Sequence, residues 1–301
     1  MTGEMNYLGL EIGGTKLQIG RGDASGQLMW LERRAVDAAE GASGIQRQIL
    51  EMVAACRASG QIGPGSIRWG VGFGGPVDLA DGSIRKSHQI EGWSGFPLGN
   101  WLKLETNAEK VIVRNDADTA ALAESIAGAG RGFDTMVYVT VGSGIGGGLV
   151  LSGRIYRGSG RGAMEIGHLR VANPDKQGEL IELELIASGW SIQRRAGSSS
   201  VPEVLQAAKA GQPRAMEVLR SAAESLGTGL SHVVQLVTPQ LIILGGGVNL
   251  LPDEWWGDWV RASLESKTMG VFAGMTQVVQ AELGENVVVV GGVLLATGAD
   301  G

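Results

Sequence analysis

The sequence predicts an α/β fold whose ligands meet the tips of strands, and three observations carry that prediction. Short apolar, β-forming runs alternate with longer segments of helical periodicity along the 301 residues. A strand, glycine turn, strand device occurs twice, at residues 7–21 and 135–151. Between the two copies, residues 111–118 end an apolar strand in Asn115-Asp116, just before a helical pattern begins at Thr119. A carboxylate is thereby delivered at a C-terminal strand tip, where open α/β sheets place ligands.

Residues 7–13 read as a strand, 16–21 as its hairpin partner, and 27–35 as a third strand after the turn at 22–26. The first glycine turn, Gly13-Gly14-Thr15-Lys16, offers bare backbone N–H groups, a hydroxyl and an ammonium to an anion. Glu11 stands two residues upstream, across the pleat from Ile12. A helix over 41–59 follows, with apolar positions at Ile45, Ile49, Met52 and Val53, then a strand over 67–73 running into Gly74-Gly75-Pro76-Val77-Asp78. Asp81-Gly82 predicts a turn and a returning strand over 83–88. Trp93, in a loop before a short helix at 98–104, is assigned to the core. Beyond Asp116 the helix runs to Ala127 and stops at a cluster of glycines, 128–132.

The second glycine turn matches G-x-G-x-x-G at Gly142, Gly144 and Gly147. That dinucleotide fingerprint must open a helix, whereas 148–151 continues as a strand, so a Rossmann site is rejected in favour of a hairpin that cradles phosphate. No Walker pattern occurs. After a glycine and arginine loop at 154–161, Glu165 and His168 stand three apart, neighbours in a helix or a turn. A helix over 181–187 carries Glu182 and Glu184, and others span 201–210 and 213–237. Residues 241–244 form an apolar strand running into Gly245, Gly246 and Gly247, where a ligand can touch backbone. A helix over 253–264 with Trp255, Trp256 and Trp259 serves packing or an oligomer contact; 276–281 and 287–290 read as late strands and 291–297 as the last helix.

Composition narrows the function classes. Hydrophobic residues make up 44% of the chain, ample for a core, and the net charge of −6 argues against nucleic acid as a partner. Cys56, the single cysteine, excludes an internal disulfide and every multi-cysteine metal site, and reads as a small buried apolar residue. The N-terminus lacks a signal pattern and no run of about 18 apolar residues occurs, so a soluble cytoplasmic protein without membrane contact is expected.

Five landmarks in order resemble the ROK family of sugar kinases, within the actin-like, hexokinase-like ATPase superfamily. They are Gly9-Leu-Glu-Ile-Gly-Gly-Thr-Lys16, Gly72-Phe-Gly-Gly-Pro-Val-Asp78, Arg114-Asn-Asp-Ala-Asp118, Thr140-Val-Gly-Ser-Gly-Ile-Gly-Gly-Gly148 and Glu165-Ile-Gly-His168, with Glu184 following before Ala187-Ser-Gly189. The resemblance implies two actin-like (ribonuclease H-like) α/β domains with a cleft between them. Residues 1–115, joined by the C-terminal helix at about 289–301, would form one, and 116–288 the other. It also implies ATP held by Gly13, Gly14, Thr15 and Lys16, by Gly142, Ser143 and Gly144, and by Gly245, Gly246 and Gly247. Matched position by position, Asp116 is the general base that takes the proton of the attacking sugar hydroxyl. Asn115, Glu165, His168 and Glu184 match sugar-hydroxyl ligands, and Gly75 matches a backbone contact to the sugar. Mg²⁺ is implied with ATP, met by Glu11 through water, and a homodimer is implied as the assembly.

Three positions depart from the family pattern. Glu11 stands where Asp is more common, and activity is expected to survive the extra methylene. No cysteine occupies 171–184, where many relatives carry a zinc segment, so zinc is expected to be absent and His168 to lose an anchor. Asp118 stands where Asn is common and adds negative charge near Asp116, an arrangement expected to raise the base's pKa. The competing class, a sugar-responsive regulator or a pseudo-kinase, is weighed down by a first strand that begins at about Tyr7, leaving no room for a DNA-binding segment, and by the retention of Asp116 with both glycine turns.

Overall fold

The computed structural model describes residues 5–87, 90–160 and 162–300. In chain order it comprises β1 (Asn6–Ile12), β2 (Lys16–Gly22), β3 (Leu28–Ala35), α1 (Gly41–Ala58), β4 (Ile67–Phe73), α2 (Leu98–Thr106), β5 (Lys110–Asn115) and α3 (Asp116–Ala127). These are followed by β6 (Thr135–Val141), β7 (Ile145–Leu151), β8 (Arg154–Ile155), β9 (Arg170–Ala172), β10 (Leu180–Glu182), α4 (Glu184–Ala187), α5 (Gly189–Ala196), α6 (Val201–Lys209) and α7 (Pro213–Val237). The chain ends with β11 (Leu241–Gly245), α8 (Gly257–Lys267), β12 (Gln277–Gln280) and α9 (Val287–Thr297).

Two compact units result: Met1–Gly132 with Gly148–Ala163 and Glu285–Gly301, and Phe133–Gly147 with Met164–Gly284. The break expected after Asn115 does not coincide with this division, since α3 groups with the first unit. The reason is steric: α3 and α9 touch so closely that a Cβ on Gly291 would lie 2.1 Å from the Thr119 carbonyl. The end of β7 joins them, as a Cβ on Gly148 would lie 2.7 Å from the Ala117 carbonyl.

The first unit is built on a five-stranded sheet of order β3-β2-β1-β4-β5, with β1 antiparallel to β2 and parallel to β4. Its two faces differ in kind because side chains alternate across the pleat. Leu8, Leu10, Ile19, Trp69 and Val71 join Ile45, Ile49 and Met52 of α1 in a buried core. On the other face, register aligns Gly20, Gly9 and Gly70 on three adjacent strands. Without side chains that row lets α9 rest on the backbone of the sheet: a Cβ on Gly9 would lie 2.1 Å from the Val289 carbonyl, and one on Gly70 2.0 Å from that of Gly292. Cys56 is buried in α1, as expected, and burial pushes its thiol pKa up to about 11.

In the second unit, β11 lies parallel to both β6 and β12. The long α7 packs against α8, α6 and α5, and a Cβ on Gly227 would lie 2.4 Å from the Val260 carbonyl. A separate antiparallel pair, β9 and β10, places Glu182 opposite Arg170.

Four expected elements are corrected. Residues 287–290 open α9 instead of forming a strand; the four valines are wrapped by α3 and the sheet, and a helix buried on all sides carries no periodicity for the sequence to show. Residues 83–87 make only an isolated bridge, Val77 to Ile84, because the backbone of Ile84 bonds Gly95 and Phe96; His88, the end of that expected strand, and Arg161, the end of the expected loop, lie outside the described residues. The helix expected over 181–187 shrinks to α4, its first half being taken as β10 by pairing with β9. The tryptophan helix is split into a short 3-10 turn, Asp253–Trp255, and α8, where the backbone of Trp256 (φ −151°, ψ −68°) leaves the helical region.

Candidate active site

In the first unit, β5 and α3 meet as expected. Asn115, in extended conformation, caps α3: its side-chain oxygen accepts from the N–H of Ala117 at 2.8 Å and of Asp118 at 3.4 Å. The Asn115 amide donates to the Gly75 carbonyl at 3.3 Å, tying the strand tip to the loop after β4. Asp116 Oδ1 accepts from Ala117 N–H at 2.9 Å, and Oδ2 would lie 3.6 Å from a Cβ on Gly74, a position that is also 3.8 Å from the Gly13 Cα. Gly74 N–H donates to the Ile12 carbonyl at 3.0 Å. Asn115, Asp116, Gly75 and the first glycine turn are therefore one cluster. Gly13, Gly14, Gly74, Ser87 and Trp93 line a shallow recess beside it, and Trp93 packs edge-on against Phe73 as part of the core.

The first turn closes through Gly13 N–H to the Lys16 carbonyl at 2.9 Å, with Thr15 exposed. Glu11 lies beneath it. One carboxylate oxygen accepts from Gln18 at 2.5 Å and the other pairs with Lys16 at 3.2 Å. Gln18 and Lys16 also donate to the Glu285 carbonyl, at 3.0 and 3.1 Å, and Arg33 bonds Gln18 and the Glu285 side chain. Gln18, Arg33 and Glu285, unmarked in the sequence, thus brace the turn from below. Burial raises the pKa of Glu11 above its usual 4.5, opposed by Lys16, Gln18 and Arg33. A folded-state value above the unfolded one means that Glu11 supports folding when protonated. That contribution is present below about pH 4.5 and is lost as pH rises through the raised folded value. Glu11→Gln is expected to flatten the decline in Tm from pH 4.5 towards neutrality; an unchanged slope in the variant would place the titration in another group.

Asp118 stands with Asp116 in the first turn of α3 and also acts on Arg114. It is buried, and its charge favours the charged form of Arg114, whose guanidinium bonds Asp300 at 3.0 Å; Arg157 bonds the same carboxylate. Desolvation is the largest influence on Arg114 and lowers its pKa, with Asp300 opposing.

In the second unit, Gly142 N–H donates to the Gly144 carbonyl at 2.9 Å and the Gly142 carbonyl accepts from Gly189 at 2.7 Å, leaving Ser143 exposed. Glu184 joins this turn: Oε2 accepts from Ile145 N–H at 2.7 Å and would lie 2.6 Å from a Cβ on Gly144. Glu165 precedes and His168 ends a single 3-10 turn, Ile166–His168, and both are exposed. The partner of His168 is Glu182, Nδ1 to Oε2 at 3.3 Å. Gly245 and Gly246 pack against β6, where a Cβ on Gly246 (φ 87°) would lie 2.5 Å from the Val141 carbonyl, while Gly247 has open space. Asn249 donates to the Gly245 carbonyl at 2.6 Å and accepts from the Trp256 indole at 2.7 Å. Trp256 is fully buried in this relay, which resolves one of the three tryptophans as internal packing. No spacing rule signals Asn249, Trp256 or Glu182, since each acts through a partner on another element.

A glucokinase of Halalkalibacterium halodurans is 31% identical over 272 residues, covering 82% of each chain. The crystal structure of a ROK hexokinase from Thermus thermophilus superposes with a TM-score of 0.82 at 31% identity, over 97% of this chain and 98% of the other. A ROK family glucokinase from Streptomyces griseus, solved with glucose and AMPPNP, gives a TM-score of 0.78 at 28% identity, over 97% and 99% of the two chains. The profile of the ROK family matches residues 7–299, nearly the whole sequence, and with the ordered motifs and the fold it shows that the chain belongs to the ROK family.

Proposed function

We infer that this chain is an ATP-dependent sugar kinase that transfers the γ-phosphate to a hydroxyl of a hexose of the glucose, fructose or N-acylhexosamine type. The observation that carries the reading is the Asp116 carboxylate at the tip of β5, next to Gly74 and the first glycine turn. The named activities of the relatives support it, glucokinase in two of them and hexokinase in the third.

Phosphoryl transfer asks for positioning and charge stabilisation more than covalent chemistry, and the residues supply both. Asp116 accepts the proton of the sugar hydroxyl as its oxygen bonds the γ-phosphorus and the bond to the leaving ADP oxygen breaks. The N–H groups of the Gly13–Lys16 turn, and of the turn from Gly142 to Gly144, cradle phosphate; Gly245, Gly246 and Gly247 offer backbone to the nucleotide. Asn115, Glu165, His168 and Glu184 supply donors and acceptors for sugar hydroxyls, with Gly75 held by Asn115. Mg²⁺ bound with ATP would neutralise phosphate charge. Glu11 would meet it through water, its buried carboxylate keeping one oxygen on Gln18 and the other on Lys16 while the ion keeps most of its waters. A homodimer completes the reading, checked by light scattering on the purified protein. No helix among the described residues is long and apolar enough to cross a membrane.

ATP consumption with Mg²⁺ across hexoses, fructose and N-acetylhexosamines tests the assignment. Turnover on one of these sugars is the expected result. Sugar-dependent thermal stabilisation without turnover on any would overturn it in favour of a sugar-binding protein that has lost catalysis.

A further inference from the structure

We propose that Glu182 is the residue that positions His168 for the sugar, by fixing the tautomer and the direction of its imidazole; this rests on the reading of His168 as a sugar-hydroxyl ligand. His168 ends a one-turn 3-10 helix, Ile166–His168, and its side chain is 65% exposed, so nothing in its own element restrains the ring. Restraint comes from the neighbouring hairpin. Glu182 Oε2 lies 3.3 Å from His168 Nδ1, and Oε1 accepts from Arg170 at 3.0 Å. Arg170 is the cross-strand partner of Glu182, so the carboxylate is set by the register of β9 and β10. A carboxylate flanked in this way can only accept. The proton of a neutral imidazole then resides on Nδ1, leaving the Nε2 lone pair to accept from a hydroxyl.

The hairpin is itself anchored. Asp175, in the loop between β9 and β10, is held by Arg195 of α5 at 2.8 Å and by Arg214 of α7 at 3.4 Å. The Arg195 side chain is 6% exposed and also donates to Ser221 of α7 at 2.8 Å. The stretch from 171 to 184, which has no cysteine, is thereby tied to two helices at its loop and to His168 at its strand end.

An ordinary exposed ion pair would contribute little to stability and would leave the substrate constants unmoved. The test is therefore Glu182→Ala and Glu182→Gln, read in two ways. The first readout is the ring ¹⁵N shifts of the labelled protein, whose three histidines are assigned with a His168→Asn variant. The Nδ1–H tautomer is expected at His168 in the wild type and in Glu182→Gln, whose amide oxygen can still accept, and a mixed population in Glu182→Ala. The second is steady-state kinetics on the sugar turned over: Glu182→Ala should raise its KM by about 5- to 10-fold, with kcat and the ATP KM within about twofold, and Glu182→Gln should restore most of the loss. A His168 tautomer that is the same in the wild type and Glu182→Ala overturns the proposal whether or not any sugar is turned over. An unchanged sugar KM overturns it also. Absence of turnover in the wild type would count against the kinase assignment alone, and the tautomer would still decide the role of Glu182.

Discussion

Asp116→Asn is expected to lower kcat by about 10²- to 10⁴-fold, the range associated with a general base, with the KM for the sugar within about threefold. The substitution is nearly isosteric, so its effect isolates the loss of a proton acceptor. Folding should hardly be touched. Asn115 remains as the cap of α3, and what is lost is a negative charge in the first turn of the helix, worth about 0.3–1 kcal/mol. Steady-state kinetics and a thermal melt on the same preparation separate the two effects. A kcat within about tenfold of the wild type would mean that Asp116 is not the base, whatever its place at the strand tip.

Gly70→Ala should destabilise the protein by about 3 kcal/mol, the upper end of the usual cost of overpacking, and lower Tm by roughly 5–10 °C. The added methyl would lie 2.0 Å from the Gly292 carbonyl and 2.6 Å from the Leu295 Cβ. A backbone carbonyl inside α9 cannot rotate away as a side chain can, so either the helix lifts from the sheet or the strand bends. Because the N-terminus of α9 also receives Lys16, Gln18 and Arg33, a displaced helix would loosen the brace under the first glycine turn, and activity should fall with stability. Gly270→Ala is the control, since a Cβ there meets nothing within 4 Å. A thermal melt showing equal loss in both variants would mean that the glycine row does not carry the docking of α9.

The parts of this molecule that were legible in its sequence are those whose chemistry is local. The strand carrying Asn115 and Asp116, the cap that Asn115 makes, and both glycine turns depend on residues within a few positions of one another, and each takes the form that its pattern implies. The burial of Trp93 and Cys56 followed from residue type alone.

Other features depend on partners distant in the chain, and there local preference loses. Residues 287–290 are a β-branched run that favours a strand, yet Gly9, Gly20 and Gly70 leave a bare groove that α9 fills, and burial of its valines outweighs the propensity. Ile181 and Glu182 have the look of the start of a helix until β9 offers them a ladder. Likewise Glu11 and Asp118 are both acidic residues close to motifs, and the sequence shows the side-chain partner of neither. The tertiary structure sends one to the turn, beside Lys16, and the other to the buried Arg114. His168 was expected to lose the anchor that zinc would supply, and the fold brings it Glu182 from 14 residues away. Sequence by itself determined which groups the chain offers for chemistry and the strand tips and turns that carry them, because those are set by spacing and backbone preference. Which acid braces which base, and which helix lies on which sheet, was decided by packing and by the exclusion of water, which act only once the chain has closed on itself.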